Sequence, residues 1–182
     1  MSALGADLRA LRRSRGLTLA QLADRLDRSV GWMSQVERNI SPVDDDTLSR
    51  LADTLDAPLS LLTDRADGAV VRESKRRPIG ERVPGLMEHL LSPDLTDGFE
   101  VIHSTFAPGA RRDEPVSRGT TEIAYLMSGH LTLWLGDERH DLGPGDTARL
   151  RGEPFRWANE GTVPAVAIWI ITPAIYTQES TQ

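Results

Sequence analysis

Between residues 4 and 62 the apolar positions recur at three- and four-residue spacing, which predicts a run of short amphipathic helices. Leu4, Leu8 and Leu11 share one face of a first helix over residues 3–15, with Arg9, Arg12, Arg13 and Arg15 among its exposed positions and Gly16 ending it. Thr18 is placed to cap a second helix whose inward face is Leu19, Leu22, Ala23 and Leu26. Asp27 and Arg28 form a turn, and Ser29 is placed to cap a third helix anchored by Met33 and Val36. Val30, Gly31, Trp32, Ser34 and Gln35 are left on or near its outward side, and Glu37 is set to pair with an arginine such as Arg12. Small Ala23 suits a steep, close helix crossing. After the break at Ser41-Pro42, a fourth helix runs from about Asp46 to Asp56 with Leu48, Leu51 and Leu55 inward. Pro58 then opens a fifth, with Leu59 and Leu62 buried.

The helical period stops at Asp64. Residues 66–84 read as a linker, including the basic run from Arg72 to Arg77, which is expected as a solvated hinge with a phosphate contact as the alternative, and a possible first strand at Ala69–Arg72. Beyond it, short apolar or alternating segments lie near 86–91, 99–106, 122–127, 130–135, 147–150, 155–158 and 163–171. Pro-Gly, Ser-Gly-His, Gly-Asp and Gly-Pro-Gly-Asp turns separate them, and many short strands at even spacing imply a sandwich or small barrel. The fold class is therefore multidomain, α then β.

Residues 17–39 resemble the helix-turn-helix of the lambda-repressor-like (XRE-type) regulators, notably in Leu22-Ala23 after Gln21 and in Ser34-Gln35-Val36-Glu37-Arg38. Five helices in about 65 residues match that domain in order and length. The resemblance implies that the third helix enters the major groove of DNA. Gln21 matches a position that bonds phosphate and braces this helix, while Ser29 would orient the helix N–H groups towards phosphate. Val30, Gly31 and Trp32 would face base edges, with Ser34 and Gln35 behind them; packing of Trp32 on sugar or between half-sites is the alternative. A Gln amide pairs bidentately with adenine and a Val methyl touches thymine. Arg38 is a candidate phosphate contact.

A second resemblance lies in Pro108-Gly109, Glu122, Ser128-Gly129, Leu142-Gly143-Pro144-Gly145-Asp146 and Pro154-Phe155-Arg156-Trp157-Ala158-Asn159. These look like the two motifs of the cupin family, over roughly residues 95–173, and imply an antiparallel jelly-roll β-barrel. The resulting division is a helix-turn-helix domain at 1–65, a linker at 66–84 and a cupin-like sensor or dimerisation domain at 85–182. The family's three metal-binding imidazoles are replaced by Pro115, Ser117 and Phe155, leaving only Glu122, so no metal and no cofactor are expected. If Glu122 points into the barrel, its carboxylate needs a partner, for which Arg111, Arg118, Arg149 and Arg156 are candidates. Two readings stay open: an internal salt bridge filling a dead site, or the polar floor of a ligand pocket. The pocket would be lined by Ser117, Trp134, Arg149, Phe155 and Trp157.

Charge separates the two halves. The chain's net −6 divides into −1 over residues 1–65, +2 over 66–80 and −7 over 81–182. The helical half is not basic, so DNA affinity must come from placed contacts and from dimerisation rather than bulk charge. The absence of cysteine excludes disulfides and thiol chemistry. No apolar stretch reaches the length of a membrane span, and the N-terminus lacks an apolar signal core, so a cytoplasmic, non-membrane protein is expected. Together the resemblances imply a transcriptional regulator and not an enzyme: a ligand-responsive repressor, binding a near-palindromic double-stranded DNA operator as a homodimer and answering to a small-molecule effector. Half-sites would lie about 34 Å apart, or a multiple. The alternatives are an antitoxin-like protein-interaction regulator and a metal-free cupin enzyme using Glu122 as acid or base.

Overall fold

The computed structural model describes residues 4–63, 69–80 and 83–176. The chain divides into two compact units: Met1–Arg77 with Ser92–Asp97 and Ala174–Gln182, and Pro78–Leu91 with Gly98–Pro173. The boundary expected at residue 65 falls outside the described residues.

The helical unit contains α1 (Leu4–Ser14), α2 (Leu19–Arg25), α3 (Val30–Glu37), α4 (Asp45–Thr54) and α5 (Ser60–Thr63). Each of the middle three starts at a side-chain cap, which satisfies N–H groups that lack a partner inside the helix. Thr18 accepts from the Gln21 N–H at 3.2 Å, Ser29 from the Trp32 N–H at 3.1 Å and Asp44 from the Thr47 N–H at 2.7 Å. Leu8, Leu11, Leu22, Ala23, Leu26, Met33, Val36, Leu51 and Leu55 form the core. Helix α1 comes very close to the end of α3 at Gly5, where an added Cβ would lie 2.5 Å from the Glu37 carbonyl oxygen. That contact lets α1 sit against the end of α3, where Asn39 Oδ1 receives the Gly5 N–H at 2.8 Å.

Among the described residues two carboxylates are buried in this unit, and both are held on both oxygens. Glu37 receives Arg12 Nε at 2.6 Å and Nη2 at 3.0 Å, with Arg9 Nε at 3.2 Å, as the sequence suggested for Arg12. Asp7 receives the Leu95 N–H at 2.9 Å and Arg77 Nη1 at 3.3 Å. Arg77, 2% exposed, also donates to the carbonyls of Leu61 at 2.9 Å and Pro93 at 2.8 Å. Arg15 donates to the carbonyls of Leu55, Asp56, Ile175 and Tyr176. The solvated-hinge reading is thus corrected for Arg77: residues from three distant stretches close the helical core. Arg72 and Lys75 remain exposed. No strand forms at 69–72; a 3-10 turn at Glu73–Lys75 precedes the first strand.

In the second unit, β1 (Arg77–Gly80), β2 (Leu86–Leu90), β3 (Glu100–Phe106), β10 (Ala165–Thr172), β5 (Thr121–Ser128) and β8 (Thr147–Leu150) form a sheet in the order β1-β2-β3-β10-β5-β8. β4 (Arg111–Val116), β9 (Phe155–Ala158), β6 (Leu131–Leu135) and β7 (Glu138–Leu142) form a second, in the order β4-β9-β6-β7. The pairings of β2 with β3, of β10 with β3 and β5, and of β5 with β8 are antiparallel, and residues alternate between buried and outward along β3, β5 and β10. The buried faces meet through Phe106 against Trp157, edge to face at 4.7 Å, and Phe155 against Trp169 at 6.2 Å. Gly129 has φ of 75° and no room for a side chain: a Cβ there would lie 2.5 Å from the Pro164 carbonyl oxygen. Asn159, 1% exposed, donates to the carbonyls of Phe106 and Val163 at 2.9 Å each and accepts from the Gly161 N–H, fixing the β9–β10 connection. Among the described residues no helix is long and apolar enough to cross a membrane.

Candidate functional site

The turn between α2 and α3 begins with Leu26 as the α2 cap and Asp27 at φ 55°, and ends at Ser29. Met33, Val36 and Glu37 pin α3 to the core, so its other side is presented outward. Val30 is 47% exposed, Gly31, Gln35 and Arg38 are exposed, and Trp32 and Ser34 are half-buried. Nothing but Ser29 Oγ, at 3.9 Å, lies within 4 Å of a Cβ added to Gly31, so a partner surface can come close to the backbone there. Gln21 is exposed, and its Oε1 accepts the Thr18 N–H at 2.8 Å while Thr18 caps α2. This fixes the side chain with its amide nitrogen still able to donate.

Two features change the reading of individual residues. Gln35 Oε1 already accepts from Ser41 Oγ at 2.9 Å, which holds the amide in place and leaves one lone pair of that oxygen for a base. Arg28, assigned from the sequence only to the turn, lies over the Trp32 ring at 5.2 Å. The stack orders an exposed cation beside the N-terminus of α3, where phosphate binding is favoured. Its sequence signal was an arginine four residues before a tryptophan at a helix start. At the other end, Arg38 Nε donates to the Ser34 carbonyl at 3.1 Å. The Asp44 carboxylate is held below its usual range by hydrogen bonds from Thr47, with a smaller contribution from Arg28.

In the sheet unit, Glu122 projects inward from β5 and is 2% exposed. Its Oε1 receives Thr120 Oγ1 at 2.8 Å and Arg118 Nη1 at 3.5 Å, while Oε2 has no hydrogen-bond partner. Of the four arginines considered for it, Arg118 is the partner; its guanidinium lies 5.8 Å from the Phe155 ring centre. Arg111 instead pairs with Asp113 at 2.6 Å. Phe155 and Trp157 are buried on the inner face of β9. The other suggested lining residues lie elsewhere. Trp134 faces out of β6, stacked by Arg156 at 4.3 Å and Arg139 at 5.6 Å. Arg149 is exposed on the outer side of β8, and Ser117 is exposed and donates to the Gly152 carbonyl at 2.6 Å. Trp134 and Arg149 misled because one residue of strand register exchanges the two faces. Thr120 and Trp169 were not singled out from the sequence, although both belong to the surroundings of Glu122 and Phe155.

The metal that the cupin fold brings to mind does not fit this donor set. Pro115 and Phe155 offer no ligand atom and Ser117 is engaged elsewhere, leaving one carboxylate. Among the described residues no group of three or more His, Cys, Asp and Glu side chains is placed to hold a metal ion.

Comparison with known proteins agrees with this architecture. A helix-turn-helix domain model matches residues 3–64, and a cupin domain model matches residues 102–171. The chain thus pairs a region similar to helix-turn-helix domains with one similar to cupin domains. That pair of domains fits a DNA-binding transcriptional regulator. Similar solved structures include an HTH_3 family transcriptional regulator from Vibrio cholerae, 23% identical over 94% of this chain and 95% of that one, with a TM-score of 0.46. The Cupin_2 domain of an XRE family transcriptional regulator from Enterobacter cloacae is 26% identical over 48% of this chain and 96% of its own, at a TM-score of 0.43. KdgF from Halomonas sp. is 18% identical over 59% and 96%, at 0.51, a likeness of fold. A search of curated proteins finds no match.

Proposed function

We propose that the protein is a sequence-specific, ligand-responsive repressor that binds a near-palindromic operator as a homodimer in the cytoplasm. The observation that carries the DNA-reading part is the outward side of α3: Val30, Gly31 and Gln35 exposed on a helix whose Met33, Val36 and Glu37 are locked inward. Val30 and Gln35 read base edges. Gly31 admits the close approach of the duplex. Gln21, Ser29, Arg28 and Arg38 hold phosphates around them, and the positive end of α3 adds to that field. Residues 1–65 carry no net positive charge, so placement, and two half-sites bound at once, supply the affinity.

The ligand-responsive part is supported by the open oxygen of Glu122. A buried carboxylate oxygen without a donor is costly unless something donates to it. Beside it lie the Arg118 guanidinium and the Phe155 ring, so a small molecule bearing a hydroxyl or amine on an apolar body suits the place. Such an effector alters operator binding only by favouring one arrangement of the dimer over another.

Selection of duplexes from a random pool by the purified chain tests the reading. The expected result is an enriched site with twofold symmetry. Gln35→Ala should weaken the enriched site by ~1–3 kcal/mol and relax the preference at one base pair per half-site. A pool that stays unenriched at moderate salt would reject the proposal.

A further inference from the structure

The outer face of the six-stranded sheet is apolar where a solvated face would be polar. Alternation along β5 and β10 turns Ile123, Tyr125, Met127, Ile168 and Ile170 outward, and Met87 joins them from β2. Register makes the patch continuous. Ile168 lies between Tyr125 and His103, and Ile170 between Ile123 and Val101. Met87, Ile123, Tyr125, Met127 and Ile170 are 61%, 38%, 47%, 50% and 43% exposed, so five of the eleven exposed large apolar side chains among the described residues share one sheet face. Contiguous apolar surface of this kind marks an interaction site rather than ordinary solvent-facing surface.

Charge identifies the partner. Residues 81–182 carry eight basic and fifteen acidic side chains, so two such units repel across most of their surface. The outward positions of β2, β3, β10, β5 and β8 hold no Asp or Glu at all, and Arg149 is their one Arg or Lys. A second copy meets no like-charged carboxylates across this face. Its size also suffices. Five strands about 4.8 Å apart and about 20 Å long present on the order of 500 Å² from each copy, near the ~1,000 Å² total that a specific interface needs. At the β2 margin the face runs into a recess of about 450 Å³ lined by Leu86, Met87, His89, Thr105 and Pro164, among others, with Glu88 at its wall accepting from Ser104 Oγ.

We propose that two copies of the chain dock through this face, sheet on sheet, in an isologous twofold dimer centred on Tyr125 and Ile170. The inference rests on the homodimer of the preceding section and names the surface that makes it. A twofold dimer shares the symmetry of a palindromic duplex.

Sedimentation equilibrium of the full chain at micromolar concentration tests it. The parent should sediment as a dimer, Tyr125→Glu with Ile170→Glu should raise the dimer Kd at least 100-fold, and Ile40→Glu, on an exposed residue of the helical unit, should leave it unchanged. Far-UV circular dichroism checks folding, and if the double Glu variant does not fold, Tyr125→Gln with Ile170→Gln carries the same readout. A folded variant that remains as dimeric as the parent, or a parent that is monomeric throughout, overturns the proposal. Binding of a single half-site duplex separates the two claims. A monomeric variant that binds it like the parent but loses tight binding to the palindrome supports the interface. A parent that dimerises through this face yet prefers no duplex also supports the interface, while removing the regulator reading.

Discussion

Glu37 and Asp7 in the helical unit and Glu122 in the sheet unit are equally buried, at 5%, 0% and 2% exposure, yet they are treated differently. Both oxygens of Glu37 and of Asp7 receive donors, from arginines in each case and from the Leu95 N–H at Asp7. Glu122 is met on one oxygen only. A carboxylate closed on every side is a structural part. Under the proposed function, the open Oε2 of Glu122 is an acceptor for an effector, whereas Glu37 and Asp7 fix the shape of the helical unit.

The largest expected effect lies at the closed site in the helical unit. Arg77→Met leaves Asp7 buried without its counter-charge and should cost about 3–5 kcal/mol in urea denaturation of the full chain. Asp7→Leu combined with Arg77→Met should recover most of that loss, because removing both charges removes the uncompensated one. A small cost for the single change would mean that Asp7 is not closed after all.

At the open site the same logic predicts a small number. Glu122→Gln keeps the Oε1 acceptor for Thr120 and removes a half-satisfied charge, so stability should change by no more than about 1 kcal/mol. Any effector that shifts the parent's melting temperature should lose that shift in the variant. A loss of several kcal/mol without an effector would place Glu122 with Glu37 as a structural carboxylate.

The smallest effect is a slope. Burial raises the Asp7 pKa above its ordinary 3.8, partly opposed by the Leu95 N–H and by Arg77. Between the ordinary value and the raised one, the folded chain holds more proton on Asp7 than the unfolded chain does. This group therefore makes stability fall as pH rises through that window, and contributes no slope above it. Asp7→Asn should remove that part of the slope when denaturation curves are compared from pH 4 to 7.

The helical unit was the more legible in sequence because each of its signals is local. The caps Thr18 and Ser29, the leucine spacing and the Glu37–Arg12 pair all act within one or two helices. What escaped was long-range: Gly5 against the end of α3, and Arg77 drawn into the helical core from a run that looked like a solvated hinge. In the sheet unit the alternating segments were readable, but β4 was not. Arg-Arg-Asp-Glu-Pro-Val has no apolar alternation because β4 is an edge strand, where charge and proline are tolerated and block further pairing. β7, the opposite edge, is polar as well, with Leu142 its one apolar residue. Inward and outward residues were confused at Trp134 and Arg149 because turn composition alone did not fix register.

Gly31→Glu gives the most direct measurement of whether α3 reads DNA. Glycine is a poor helix former, nothing crowds the site, and a carboxylate in the first turn suits the helix dipole, so melting temperature should hold or rise. The same carboxylate would face phosphates and base edges, so affinity for the selected duplex should fall at least ~100-fold, to the level of a scrambled one. A folded Gly31→Glu protein that still distinguishes the two duplexes as the parent does would contradict the account.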